Sequence, residues 1–458
     1  MYLINSDVRM FYFTNIVFAL SSFCIFYLIL RKLVGNPLIK AFVLILYVTN
    51  YDLYWFPNLA MAENLTLLLS LTGILLLLAK VNLFNIIAAG ILVVSFYATK
   101  YASVPLVISF FIAYFIKLFL LWRGKQFKFE KFIVFLSSTL ITFIIFCFYE
   151  YLSKGSFPLS SLVSFGTSLS NKSTAQVTSS TTFSLAYVDI NIRHYLNALT
   201  GGSERFLWDS TPIVPKFVAI GGLLGLVIGL IKVNLRFICF SFLLIILSSI
   251  LFMSTFYTTD MRYIYQVIPI LLLGFAILLT LALDYSNKKL FRYCVIFIVS
   301  TLFLYYGLTN VIRIKSQISL NLRYTETPWY YVNVLELNKF FATPTQSLTG
   351  KKPVVISPMA PYYVDFFSNG NYTLLPLSVQ QEFRSYKENA WGLNDYSDLI
   401  KLYKKYLQEG YILYLANYGL GNEGYLHSDF DAIKKIFKVT EVSVGCYNAC
   451  NIYRVELQ

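Results

Sequence analysis

Five charged side chains lie beside apolar stretches of the sequence, where a charge is costly and calls for a reason. They are Asp52, Glu63, Lys100, Arg205 and Arg262. A carboxylate in such a position can take a proton from a hydroxyl group. Arg and Lys can hold a phosphate, Arg through paired hydrogen bonds and Lys as a point charge. These residue types therefore suit proton transfer and phosphate binding at the edge of a membrane.

Four of these residues also have a simpler interpretation. Glu63 immediately precedes an apolar helix, where the helix dipole favours an acidic residue. Asp52 lies among aromatic residues at the end of an apolar run, as a solvated loop residue would. Lys100 and Arg262 each flank an apolar run, so they could extend their charges to water and do nothing more. The sequence alone leaves the simple and the functional interpretation open at these positions.

The elements that must position these residues are ten apolar runs. The chain is 57% hydrophobic and only 13% charged, with a mean hydropathy of +0.63, whereas soluble proteins carry about 25% charge. About 20 apolar residues in a helix cross the hydrocarbon core, and several runs are shorter than this. The pattern predicts a mostly α-helical, polytopic membrane bundle of about ten spans. The runs cover residues 11–30, 38–50, 64–79, 83–99, 102–121, 132–149, 216–231, 237–255, 263–283 and 293–310.

Positive charge in the short connecting loops alternates from one side of the runs to the other. On one side, the loops hold only Lys100 and Arg262. Basic loops stay cytoplasmic, so we expect a plasma (inner) membrane protein whose loop 150–215 and C-terminal domain face outward. The net charge of +14 is then explained by basic cytoplasmic loops that contact anionic membrane lipids. Membrane lipids are therefore expected partners, and nucleic acid is not. The 13 Lys and Arg residues of the opposite side lie in segments 31–40, 80–83, 122–131, 232–236 and 284–292.

Two domains are expected from the change in patterning near residue 310. Residues 1–310 form the membrane domain, and its outward loop 150–215 carries an amphipathic helix over 187–199 that is typical of the membrane interface. Residues 311–458 form an extracytoplasmic α/β domain. Its strands are predicted at 353–357 and 411–416, its helices at 397–409 and 430–437, and its closing hairpin at 439–444 and 452–455.

Metal-ligating and redox residues are sparse. The chain has two histidines, His194 and His427, far apart in sequence, which excludes a His-rich metal site. No cofactor and no metal site are predicted, although a divalent metal is left open. Cys446 and Cys450 flank the turn of the closing hairpin on the outward side. They form either a disulfide or two free thiols.

Three segments resemble the GT-C membrane glycosyltransferases, which include protein O-mannosyltransferases and lipid A aminoarabinose transferases. Arg9 with Asn15, an apolar span and then Arg31-Lys-Leu-Val-Gly35 looks like the second helix of that family. The segment ending in Tyr51–Glu63 resembles its third helix and outward acidic loop. Asp260-Met-Arg-Tyr263, followed by Pro269, resembles the start of a late helix. The resemblance extends over nearly the whole chain.

The resemblance implies an enzyme, a hexosyl- or pentosyltransferase that uses a polyprenyl-phosphate-linked sugar as donor. The acceptor would be an extracytoplasmic lipid, glycan or protein. Glu63 matches the second acidic residue of the family, and Asp52 is the other catalytic candidate. Lys100 and Arg262 match its phosphate contacts, and Arg205 is a further candidate for substrate binding. The sugar, the acceptor and the oligomeric state are left unassigned.

The start of the chain departs from the family pattern. Family members begin with a first helix and an outward loop that carries the main catalytic Asp. This sequence begins near Arg9, where that loop would end, and Asp7 is the only acid before the first span. We therefore expect a catalytically incomplete chain: its start codon is misassigned, its gene is N-terminally truncated, or it is an inactive relative, and we favour the first two explanations. If the chain itself transfers sugar, Glu63 or Asp52 must be the base.

Two other classes of membrane protein for cell-surface polysaccharide synthesis compete with a glycosyltransferase. A flippase or other transporter would show repeat symmetry and polar or broken helices near the midplane, whereas the ionisable groups here lie at the ends of the runs. A lipid-linked glycan polymerase or ligase would use a large outward loop with Arg residues, as loop 150–215 with Arg193 and Arg205 does. A polymerase or ligase accounts less well for residues 311–458.

Overall fold

The computed structural model divides the chain into two compact units, Met1–Lys315 and Ser316–Gln458. Each unit is described by itself below. Within some helices and strands only the backbone of a residue is described. The described residues are 9–50, 53, 63–99, 103–125, 128–154, 185–200, 214–256, 261–285, short stretches between 293 and 341, 351–357, 372–378, 396–417, 424–445 and 450–458.

The first unit is a helical bundle. Nine of the ten predicted apolar runs fall on helices, and the tenth, 293–310, is helical at each position that is described. The predicted amphipathic helix over 187–199 is also present. The helices are α1 (Arg9–Leu33), α2 (Pro37–Val48), α3 (Glu63–Leu78), α4 (Leu83–Thr99), α5 (Val104–Arg123), α6 (Glu130–Lys154), α7 (Val188–Thr200), α8 (Lys216–Gly229), α9 (Val233–Ser254) and α10 (Val267–Tyr285).

Length separates these helices into two groups. Five apolar segments among the described residues are long enough to cross a membrane, and they lie in α1, α5, α6, α9 and α10. Four apolar helices are shorter: α2, α3, α4 and α8. The 12 residues of α2 rise only about 18 Å, less than the thickness of the hydrocarbon core. The polytopic bundle is thus confirmed, and the number of complete spans stays a prediction.

Glycine lets α8 and α10 approach until their backbones touch. A Cβ atom added to Gly222 would lie 2.5 Å from the carbonyl oxygen of Leu271, and one added to Gly225 would overlap the carbonyl oxygen of Gly274. In lipid, the hydrophobic effect does not favour contact between apolar helices, so they associate through close packing of this kind. Gly90 plays the same part between α4 and α6, where a Cβ would overlap the Ser138 hydroxyl.

A lysine within the apolar run of α5 is held by the end of α3. Lys117 Nζ donates to the carbonyl oxygens of Leu76, at 2.8 Å, and Ala79, at 2.6 Å. The last carbonyls of a helix have no partner within the helix, and the dipole makes that end negative. The ammonium group of Lys117 therefore gains two hydrogen-bond acceptors, and the carbonyls at the C-terminal end of α3 gain a donor.

The second unit contains a five-stranded mixed sheet in the order β2-β1-β3-β5-β4. Strand β1 is parallel to β2 and β3, whereas β5 is antiparallel to β3 and β4. Helices α11 and α12 pack on one face, and Leu337, Phe341 and Tyr372 lie in the core of the other. The elements are β1 (Val354–Ser357), β2 (Thr373–Pro376), α11 (Tyr396–Gln408), β3 (Leu413–Ala416), α12 (Gly424–Ile436), β4 (Lys438–Gly445) and β5 (Cys450–Glu456).

The predicted α/β character of this unit is confirmed, and so are its predicted strands, the helix at 397–409 and the closing hairpin. The helix predicted at 430–437 is present but begins earlier, at Gly424. Helix α11 ends at Gln408 and is followed two residues later by Gly410, whose φ of 82° favours glycine. Strand β2 was missed because it is short and contains Pro376, which argues against a strand in sequence. Pro376 is tolerated because β2 lies at the edge of the sheet. Cys446 lies outside the described residues, so both alternatives, a disulfide with Cys450 and two free thiols, stay open.

Candidate active site at one end of the helical bundle

Glu63 is the one predicted site residue whose side chain the structure describes. Asp52, Lys100 and Arg205 lie outside the described residues. The backbone of Arg262 belongs to a short 3-10 turn, Met261–Ile264, but its side chain also lies outside them. The convergence of Glu63, Lys100 and Arg262 on one cavity wall therefore stays a prediction.

Glu63 begins α3 and is buried, with 4% of its surface exposed. Among the side chains that are described, it is the one buried carboxylate. Its position is the one that the simpler interpretation predicted, where the N-terminal end of a helix stabilises a negative charge. An acid that serves only the helix dipole can remain in water, however, and buried carboxylates are rare. The burial of Glu63 thus calls for a further role.

A hydrogen bond next to Glu63 joins the first and third helices. Asn64 Nδ2 donates to Asn15 Oδ1 at 2.7 Å, and both side chains are buried. Asn15 belongs to the first segment on which the family resemblance rests. In an apolar interior, an amide is stable only when its polar atoms have partners. The Asn15–Asn64 pair therefore fixes the start of α3, and Glu63 with it, against α1.

Further hydrogen bonds continue from this pair across the bundle. Thr66 of α3 and Ser103, which precedes α5, share a bond of 3.2 Å. The Ser248 hydroxyl of α9 donates to the Pro105 carbonyl at 3.3 Å, and Gln266 donates to Ser249 at 3.2 Å. We call this set the polar layer: Asn15, Asn64, Thr66, Ser103, Pro105, Ser248, Ser249 and Gln266.

The polar layer lies at one end of the bundle. Its members occupy the N-terminal parts of α1, α3 and α5, the C-terminal part of α9 and the approach to α10. Glu63 and the turn that contains Arg262 lie at the same helix ends. This is the side that the distribution of Lys and Arg predicts to face outward. The layer therefore gives a carboxylate and a candidate phosphate-binding turn a common rigid support.

Sequence reasoning missed several members of this layer. Gln266 and Ser249 are single polar residues near the ends of apolar runs, and Asn191, which is not part of the layer, is a single buried amide in the amphipathic helix α7. In the sequence, nothing but these positions distinguishes them, and many polar residues without a structural or functional role have similar positions. No group of three or more His, Cys, Asp or Glu in the described part of the chain is arranged to hold a metal ion.

Replacing Asn64 by alanine is expected to destabilise the first unit by about 1–3 kcal/mol, because Asn15 keeps its buried polar group and loses its donor. Thermal unfolding of the purified protein in detergent measures this loss. The double variant Asn15→Ala/Asn64→Ala should lose less than the sum of the two single variants. Thr72→Ala, which removes a hydroxyl bonded within α3 itself, is the matched control. Strictly additive losses would show that the two amides are not coupled.

Comparison with known proteins identifies the fold. No family model matches the chain, and a search of curated proteins gives no match. Among solved structures, the chain is similar to the crystal structure of ArnT from Cupriavidus metallidurans bound to undecaprenyl phosphate. The match covers 99% of this chain and 85% of the ArnT chain, with a TM-score of 0.60 and 10% sequence identity.

The chain has the ArnT fold. This similarity confirms the fold that was expected from the sequence resemblance. It also confirms a polytopic helical bundle with a C-terminal domain that contains a sheet. At 10% identity, the ArnT fold leaves the activity to be argued from the residues of this chain.

Proposed function

We propose that this protein is a membrane glycosyltransferase that takes a sugar from a polyprenyl-phosphate donor. The observation that carries the proposal is the ArnT fold over 99% of the chain, since that ArnT structure holds undecaprenyl phosphate. The buried carboxylate of Glu63 at the end of the bundle that holds the polar layer supports it. A transferase of this kind needs such a group beside the lipid phosphate.

The proposed reaction is a displacement at the anomeric carbon of the sugar. The acceptor hydroxyl attacks this carbon while Glu63 takes its proton as the general base. The bond between the anomeric carbon and the phosphate oxygen breaks, and its electron pair leaves with the polyprenyl phosphate. Arg262 and Lys100 stabilise the charge on that phosphate, which requires preorganised cations in a low-dielectric site. Asp52 is the second acidic candidate.

The donor and the acceptor set the remaining features of the proposal. The donor is a lipid, so the site opens sideways to the membrane. The acceptor is an extracytoplasmic lipid, glycan or protein with a free hydroxyl, and Arg205 is a further candidate to bind it. The reaction then takes place on the outer side of the plasma membrane, where the polar layer and the C-terminal unit lie in the proposed topology.

Binding of undecaprenyl phosphate tests the proposal directly. We expect the purified full chain in detergent to bind this lipid in native mass spectrometry. Arg262→Ala should weaken the binding about 10- to 100-fold, as expected for the loss of charge-assisted hydrogen bonds. Arg193→Ala is the matched control, because Arg193 is exposed and pairs with Asp189 on the same helix at 2.9 Å. If the wild-type chain does not bind, or if Arg262→Ala binds as the wild type does, the assignment of the phosphate site is wrong.

A further inference from the structure

A buried amide from α7 holds the end of α9. Asn191 Nδ2 donates to the carbonyl oxygens of Ser254, at 3.2 Å, and Phe256, at 2.6 Å. Asn191 is buried, with 6% of its surface exposed. The final carbonyls of a helix need donors from outside the helix, and burial keeps water from supplying them. Asn191 therefore supplies the donor that the buried end of α9 requires.

The held carbonyls begin the segment that leads to Arg262. Phe256 lies six residues before Arg262, whose backbone forms the turn Met261–Ile264. The far end of this segment is fixed as well, because Gln266 donates to Ser249 Oγ and to the carbonyl of Tyr263 at 3.3 Å. The rings of Phe256 and Tyr263 also meet edge to face, with centroids 5.4 Å apart. The turn of Arg262 is thus fixed from both sides.

Helix α7 is also held in the unit by contacts other than those of Asn191. It packs against α8 and α9, and its residues Tyr195 and Leu199 are fully buried in the apolar core. Its opposite face carries the exposed Arg193–Asp189 pair. An apolar residue at position 191 would suit such packing at least as well as an amide. The amide is therefore explained by the two carbonyls that it holds.

We propose that Asn191 is a positioning residue that holds the Arg262 turn where it can bind the lipid phosphate. This inference rests on the proposed function, since it takes Arg262 as the phosphate contact. Without the amide, the carbonyls of Ser254 and Phe256 must turn toward other donors, and the following turn moves with them. A displacement of about 1 Å at a reacting site can cost about 100-fold in rate. Through Asn191, helix α7 thereby determines the affinity of the site for the lipid phosphate.

A double-mutant cycle separates this role from a general effect on stability. The variants Asn191→Leu, Arg262→Ala and the double variant are compared for binding of undecaprenyl phosphate by the full chain in detergent. We expect Asn191→Leu to weaken binding about 10-fold when Arg262 is present and to have no further effect when Arg262 is replaced by alanine. Asn197→Leu, an exposed position of the same helix, should leave the affinity unchanged.

Each outcome of the cycle decides a different question. An equal loss from Asn191→Leu in both backgrounds, or no loss in either, overturns the positioning role. If Arg262→Ala alone has no effect, it is the proposed phosphate site that fails. If Asn191→Leu does not fold, Asn191→Gln enters the same cycle, because it keeps the amide and moves it by one methylene. That variant should also weaken binding only when Arg262 is present, and a loss in both backgrounds would again overturn the role.

Discussion

Replacing Glu63 by glutamine is expected to lower the rate of sugar transfer by about 10²- to 10⁴-fold, the usual contribution of a general base. Glutamine has nearly the same shape as glutamate and can keep the hydrogen bonds that its remaining oxygen accepts. It cannot take a proton from the acceptor hydroxyl. The assay follows the loss of a polyprenyl-phosphate-linked hexose or pentose in membranes that contain the full chain and its acceptor.

Glu130→Gln is the matched control for this substitution. Glu130 also begins a helix, α6, and also lies in its first turn, but its side chain is exposed. Both variants therefore lose a favourable interaction with a helix dipole, worth about 0.3–1 kcal/mol at the exposed Glu130 and up to about 2 kcal/mol at the buried Glu63. If Glu63→Gln retains the wild-type rate, Glu63 serves only as a helix-terminal acid. The proton must then pass to another group, and Asp52 would be the next to test.

Replacing Gly225 by leucine is expected to prevent the first unit from folding. The added Cβ meets the backbone carbonyl of Gly274, not the end of a movable side chain. The clash can be relieved only if α8 and α10 separate, and they then lose the contact on which their association in lipid depends. Overpacking a core costs about 1–3 kcal/mol where side chains can adjust, and more where backbone must move.

Size-exclusion chromatography in detergent and thermal unfolding measure this effect. The Gly225→Leu variant should give little monodisperse protein, and so should Gly225→Ala, because alanine already carries the Cβ that meets the Gly274 carbonyl. Gly35→Leu is the control, because no heavy atom lies within 4 Å of a Cβ added at Gly35. If Gly225→Leu is as stable as the control, the backbone contact between the two helices contributes nothing to stability.

The helical bundle could be predicted because hydropathy is a local property of the sequence. A run such as 237–255 has no low-energy place outside an apolar environment, and α9 occupies almost the same residues. The start of α3 at Glu63 could also be predicted, because an acidic residue just before an apolar run is typical of the N-terminal end of a helix. By contrast, β2 depends on pairing with β1, and its four residues with Pro376 give no local pattern.

The candidate site was predictable only in part, because it depends on which helix ends meet. The bond from Asn191 to the Phe256 carbonyl joins residues that are 65 positions apart, and the bond from Asn64 to Asn15 spans 49. No spacing rule relates such residues, since their approach follows from the packing of whole helices. Charged residues near apolar runs are conspicuous in sequence, and uncharged amides are not. Glu63 was therefore found and its supporting amides were missed.

The contact between Lys117 and the end of α3 has a consequence for biogenesis. During synthesis, α5 enters the bilayer carrying an ammonium group that an isolated helix could not satisfy. Its acceptors, the carbonyls of Leu76 and of Ala79 just after the helix, lie at the end of α3, which is made earlier and is too short to cross the bilayer easily by itself. Until they meet, α5 thus lacks acceptors for its ammonium group, and the last carbonyls of α3 lack a donor. We expect α3 to remain beside the insertion machinery until α5 emerges, so that the two are released into the lipid together.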